Sequence, residues 1–195
     1  MKIFYFDLET TGVKHWKNGI HQISGAIEID GELKETFDFK VQPNPKALIE
    51  KEALEIGKVT EKQIKAYPPM AIVHKEILKM LSKYVDKYTK QDKFFLIGYN
   101  NAGFDNAFFR AFFTQNGDVY FGSWFWAGTI DVMVLATEFL KHKRHLMVDF
   151  KLKTVAKEFG LIIDETKLHD AVYDVMLTRG IYKIITEKDL LGDLY

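Results

Sequence analysis

Two carboxylates stand two residues apart at the end of an apolar run in Phe6-Asp7-Leu8-Glu9-Thr10-Thr11-Gly12. A third follows another apolar run in Asn101-Ala102-Gly103-Phe104-Asp105, and a fourth comes five residues after a histidine in His169-Asp170-Ala171-Val172-Tyr173-Asp174. An unpaired carboxylate buried beside apolar sequence costs on the order of several kcal/mol, and a bound cation would offset that cost. If Asp7 and Glu9 close a strand, its period of two points both side chains to one face. There they repel each other unless divalent cations bridge them. The chain has no cysteine, so metal ligands are oxygen or imidazole, and hard oxygen donors select Mg²⁺ or Mn²⁺. Thr10-Thr11-Gly12 permits a sharp turn and offers hydroxyl and amide donors suited to the sugar or terminal phosphate of a nucleotide. Each piece alone also has an ordinary reading. Asn101 and Asp105 can be a helix cap and a helix N-terminal acid, His169 a solvated loop residue, and Asp174 an exposed helix acid.

The elements that must position these residues are legible in outline. Residues 3–8 form a nearly unbroken apolar, aromatic run, the pattern of a central strand covered on both faces. Residues 22–29 and 33–41, joined at Asp30-Gly31, read as a hairpin, because Asp-Gly supplies the positive φ angles of a tight turn. Pro68-Pro69 introduces a helix whose face carries Val73, Ile77, Met80, Leu81, Tyr84, Val85 and Tyr88 at three- and four-residue steps. An apolar strand follows at 94–99. Next comes a Phe-rich helix from Phe104 that ends at Asn116-Gly117 in a left-handed cap. Further helices are expected at 132–140, at 152–159 before Gly160, and at 171–185. Strands first and then alternation predict an α/β protein with a mixed sheet covered by helices. His169 and Asp174 lie about 140° apart if both are on one helix, so they converge best with His169 on the preceding loop and Asp170 as a cap.

Composition narrows the classes. At 195 residues and 47% hydrophobic content, the chain is read as one domain with one substantial core. Lys and Arg total 27 against 27 for Asp and Glu, so no global field draws it to nucleic acid or lipid, and any polyanion binding is local. No run approaches a membrane span, and an apolar start cut short by Asp7 is no signal peptide, so a cytoplasmic protein with no membrane partner is expected.

Taken together, Asp-x-Glu-Thr-Thr-Gly, Asn-x-x-Phe-Asp and His-x-Ala-x-x-Asp, in that order over most of the chain, resemble the DEDDh (DnaQ-like) 3′-to-5′ exonucleases, whose best-known member is the proofreading subunit of bacterial replicative polymerase. Residues 45–60, Thr129-Ile130-Asp131-Val132 and residues 152–159 look like softer family features. The resemblance implies an RNase H-like exonuclease fold, with a mixed central sheet and helices on both faces, over residues 1–195. It implies that Asp7, Glu9, Asp105 and Asp174 hold two divalent ions, Mg²⁺ or Mn²⁺, and that His169 is the general base. Thr10, Thr11, Gly12 and Asn101 are carried over as substrate contacts, Phe104 as a wall for the terminal base and Ile56 as a wedge. The implied partner is a nucleic acid 3′ end, single-stranded or frayed, with DNA favoured over RNA; a polymerase partner stays open. The implied product is a nucleoside 5′-monophosphate.

Two other classes fit the same residues: a metal-loaded binding module without turnover, and a nuclease of similar fold that cuts internally. Lys14 and Lys17 are candidates for phosphate contacts and Trp16 for stacking on a base, against the alternative of a solvated loop with Trp16 folded onto the core. The basic run 141–145 reads as a solvated connection and Trp124-Phe125-Trp126 as core.

Overall fold

The apolar run near the start of the chain becomes β1 (Lys2–Thr10), the middle strand of a five-stranded sheet. The computed structural model describes residues 1–167 and 170–190, so His169 lies outside the described residues. β2 (Ile20–Ile29) and β3 (Glu32–Lys40) pair antiparallel beyond β1 on one side. The turn between them holds Asp30 at φ 50° and Gly31 at φ 84°, as the Asp-Gly signal predicts.

After a break at Pro43 and Pro45 come two short helices, α1 (Lys51–Ile56) and α2 (Glu61–Lys65), then α3 (Met70–Leu81) behind Pro69. β4 (Phe94–Gly98) returns parallel to β1 on its other side, followed by α4 (Asp105–Gln115) and α5 (Phe121–Trp124). β5 (Phe125–Asp131) closes the sheet parallel to β4, giving the order β3-β2-β1-β4-β5. α6 (Val132–Leu140), a 3₁₀ turn at Arg144–Leu146, α7 (Leu152–Glu158) and α8 (Ala171–Leu190) complete the described chain.

Strand alternation sorts the core into two layers. Phe4, Phe6 and Leu8 pack with Val73, Ile77, Phe109 and Phe113 of α3 and α4. Ile3 and Tyr5 pack with Val132, Val155, Val175 and Ile181 of α6, α7 and α8. Phe4 meets Phe37, Phe94, Phe109 and Phe125 at ring-centroid distances of 4.9 to 6.0 Å, so truncating it to alanine should cost about 3–5 kcal/mol. α8 is tied to the sheet by Arg179, whose Nε donates to Glu28 Oε2 at 2.6 Å in a nearly dry setting. No helix among the described residues is long and apolar enough to cross a membrane.

Two expectations change. The helix after Pro69 stops at Leu81, so Tyr84, Val85 and Tyr88 leave its face, and Tyr88 is 87% exposed. The Tyr84 carbonyl accepts from the Lys2 ammonium and its hydroxyl donates to Glu35, tying the segment after the helix to β1 and β3. β5 does not stand out by periodicity, because Ala127-Gly128-Thr129 interrupts the apolar signal on this edge strand. Of the three aromatics expected in the core there, Trp124 and Phe125 are buried but Trp126 is half-buried against Phe95.

His21 on β2 is 1% exposed, and neither ring nitrogen has a hydrogen-bond partner among the described residues. Burial first, then the nearby Lys40 charge, lowers its pKa to about 4. The unfolded chain therefore takes up this proton near pH 6.5, before the folded one does, and stability falls as pH drops from 6.5 toward 4. Urea titrations at pH 7 and pH 5 should show this group alone costing about 2 kcal/mol over that interval. His21→Phe should remove that part of the slope; an unchanged slope would contradict it.

Candidate active site

The last residue of β1 paired with β4 is Tyr5, opposite Ile97, so Asp7 and Glu9 run on past the carboxyl end of β4. They continue the odd-numbered series of Ile3 and Tyr5 and so share the sheet face that α8 covers. A crevice at the carboxyl end of parallel strands is where α/β sheets bind ligands. A register shift between Glu9 and Thr10 ends regular pairing with β2 and starts the following turn.

That turn is held from within. Thr11 is fully buried; its hydroxyl donates to the Leu48 carbonyl at 2.7 Å and accepts from the Gly19 amide at 2.9 Å. Asn18, 2% exposed, accepts from the Lys14 amide and donates to the Leu48 carbonyl and to Glu50 Oε1 at 3.0 and 3.1 Å. A Cβ on Gly12 would lie 2.3 Å from Asn18 Nδ2, so no larger residue fits without displacing the brace.

The second motif is organised by Asp131 at the end of β5. Its carboxylate accepts from the amides of Asn100 at 2.9 Å, Ala102 at 3.2 Å and Met133 at 3.0 Å, capping α6 and fixing the loop before α4 in one contact set. Asn101 folds inward over Gly98, fully buried, with its amide on Thr129 Oγ1 at 3.2 Å and its Oδ1 without a partner among the described residues. Phe104 stays partly exposed against Phe108, and Asp105 opens α4 as a buried acid.

On α8, Asp170 accepts from the Tyr173 amide at 2.9 Å as the expected cap, and Asp174 sits in the first turn. The three segments meet electrostatically. Burial first, then the negative charges of Asp105, Glu9 and Asp174, push the Asp7 carboxyl well above the usual carboxylate range. Burial also raises Asp105, to about 7; Glu9 and Asp131 add to the shift, while backbone amides, including that of Leu8, oppose it. The Leu8 amide acts on both acids, which places their carboxyls around one point of β1.

Four carboxylates thus share one end of the sheet, and the charges acting most on Asp7 are all negative. Such an all-oxygen, electron-rich set suits a hard divalent cation. Among the described residues no three His, Asp or Glu side chains are grouped closely enough to hold a metal ion as they stand.

The charges of Asp105, Glu9 and Asp174 all act on Asp7, and Phe104 is partly exposed. Ile56, at the end of α1, is 76% exposed and open to contact. Thr11 and Asn101 are both fully buried, with the Thr11 hydroxyl and the Asn101 amide bonded inside the protein, where they brace the loops. Asn18 and Glu50 were missed because nothing in the sequence marks them. Asp131 had a signal, an acid directly before an apolar helix.

A mixed sheet of this order, with acids from a central strand and two helices at its carboxyl edge, defines an RNase H-like exonuclease fold. A family model described as Exonuclease matches residues 4–182, and the chain belongs to that family. No curated protein matches the sequence significantly. Among solved structures, the chain is similar to the zinc-bound form of E. coli exonuclease I with single-stranded DNA, at 21% identity and TM-score 0.76 over 96% of this chain and 40% of that one. E. coli exonuclease I with a dT13 oligonucleotide is similar at 21% identity and TM-score 0.76, over 98% and 42% of the two chains. The chain spans about two-fifths of the length of these structures, and the likeness is one of fold.

Removing one of four mutually repelling acids should stabilise the metal-free protein. In chelator at pH 8, Asp7→Asn should melt a few degrees higher than the parent, a gain on the order of 1 kcal/mol. Differential scanning calorimetry checks this, and a lower melting temperature would show that the Asp7 carboxylate is not strained by its neighbours.

Proposed function

We propose that this protein is a divalent-metal-dependent 3′-to-5′ exonuclease that removes nucleoside 5′-monophosphates from single-stranded or frayed 3′ ends, DNA in preference to RNA. The convergence of Asp7, Glu9, Asp105 and Asp174 on one end of the sheet, with no positive charge among the strongest influences on Asp7, carries this reading. Membership of the exonuclease family over residues 4–182 supports it, as does the likeness to proteins bound to single-stranded DNA.

In this reading the four carboxylates hold two divalent ions, Mg²⁺ or Mn²⁺. When bound, the ions lower the pKa of water and neutralise charge developing at the phosphate. His169, five residues before Asp174, takes the proton from the attacking water, a task imidazole performs near neutral pH. The water oxygen bonds to phosphorus, the P–O3′ bond breaks, and the departing 3′ oxygen is protonated. Thr10 and the turn at Gly12 meet the terminal nucleotide, with Thr11 and Asn18 holding that turn beneath. Phe104 walls the terminal base, and Ile56 wedges against the next one. Asn101 and Asp131 act through the loop that delivers Asp105. A mismatched end beside a polymerase is one setting that presents such a substrate.

The test is release of mononucleotides from 5′-labelled DNA and RNA oligomers with Mg²⁺, then Mn²⁺. Stepwise shortening from the 3′ end is expected, with Asp7→Asn and His169→Ala each slower by roughly a thousandfold. Circular single-stranded DNA should remain closed. Intact linear oligomers with both ions would overturn the reading, and opened circles would replace it with internal cleavage.

A further inference from the structure

Beside the second motif lies an open groove of about 630 Å³ between the loop after β1 and the outer face of α4, lined by His15, Trp16, Ala102, Asn106, Arg110 and Gln115. Its floor begins at Ala102, three residues before Asp105. Trp16 forms one lip and is 68% exposed. It is not a loose side chain: His15 meets its ring edge-on at 5.0 Å and packs on Phe108 of α4 at 6.2 Å. The backbone beneath is closed by amides of Lys17 and Asn18 on the Lys14 carbonyl, at 2.8 and 2.7 Å, and by the buried Asn18 side chain. The ring is therefore presented in advance, which lowers the ordering cost of anything that stacks on it.

Among the described lining residues Arg110 carries the one formal charge. Arg110 is on its wall with the guanidinium 4.4 Å from the Phe121 ring centroid, which holds it without neutralising it. Lys14 and Lys17 flank Trp16 on exposed backbone, and none of the three cations forms an ion pair among the described residues. Among the described residues no acid lines the groove. An exposed aromatic face with flanking cations is how single-stranded nucleic acid is held without reading its sequence: bases stack and phosphates pair. A duplex has no free base face to offer.

We infer that this groove is a second binding site for the single strand, taking a nucleotide upstream of the 3′ terminus with its base on Trp16 and its phosphates on Lys14, Lys17 and Arg110. The inference rests on the exonuclease reading for the direction of the strand, but the binding itself does not require turnover. It makes affinity depend on oligomer length and strandedness.

The experiment uses the full chain carrying Asp7→Asn, so that oligomers survive, and measures anisotropy with labelled dT3, dT10 and a blunt ten-base-pair duplex. The dT10 strand should bind at least roughly tenfold tighter than dT3, and Trp16→Ala should erase most of that advantage. Arg110→Gln should lower the slope of log Kd against log salt for dT10 by about 0.7, the share of one phosphate contact on a single strand. Equal dT10 affinity with and without Trp16, in protein whose melting temperature is unchanged, would overturn the groove; so would duplex binding that depends equally on Trp16. Hydrolysis by the parent protein is assayed in parallel. Length-dependent, Trp16-dependent binding without hydrolysis sinks the exonuclease reading and keeps the groove, whereas hydrolysis with no Trp16 effect does the reverse.

Discussion

Like charges held close in a partly dry place must be either neutralised or protonated, and that constraint organises this protein. Asp7 is pressed by burial and by Asp105, Glu9 and Asp174, three acids that come from β1 itself, α4 and α8. Nothing in packing would assemble four carboxylates from segments so far apart in sequence, since each approach costs free energy that the apolar core must offset. The two hydrophobic layers on the sheet supply that offset: Phe4, Phe6 and Leu8 anchor β1 on one face, and Ile3 and Tyr5 anchor it on the other under α8. The fold spends stability to keep unfavourable neighbours at the mouth of a crevice.

The loops that carry the acids are correspondingly rigid. Asp131 gathers three amides to set the approach to α4, and Asn18, Thr11 and Glu50 lock the turn after β1. These residues touch no substrate in the proposed mechanism, yet they decide where Asp105 and Thr10 stand. The same Asn18 brace presents Trp16 to solvent, so one buried amide organises both the turn at the acids and the groove beside them.

Much of this is legible in the sequence because it rests on local rules. β1 follows from an unbroken apolar run, the β2–β3 turn from Asp-Gly, the end of α4 from Gly117 at φ 74° and the start of α8 from Asp170. The four acids are legible as a set only through their three motifs taken in order, since each alone also reads as an ordinary strand-end, cap or helix acid. What escapes is set by tertiary partners. The helix from Met70 stops short of Tyr84, whose carbonyl and hydroxyl meet Lys2 and Glu35, both distant in sequence. Thr11 and Asn101 look like ligand contacts by motif, but their hydrogen-bond partners Leu48 and Thr129 come from other segments and turn them inward. α2 could have been read from the Thr60 to Gln63 capping box, which the structure closes with both reciprocal bonds.

The most direct measurement is anomalous diffraction from crystals soaked with Mn²⁺ and a nucleoside 5′-monophosphate. Manganese peaks among the carboxylates of Asp7, Glu9, Asp105 and Asp174, absent in Asp7→Asn crystals, are the expected result. A site that stays free of manganese at saturating concentration, with the acids hydrogen-bonded to one another as neutral carboxyls, would contradict the cation cage on which the proposed chemistry depends.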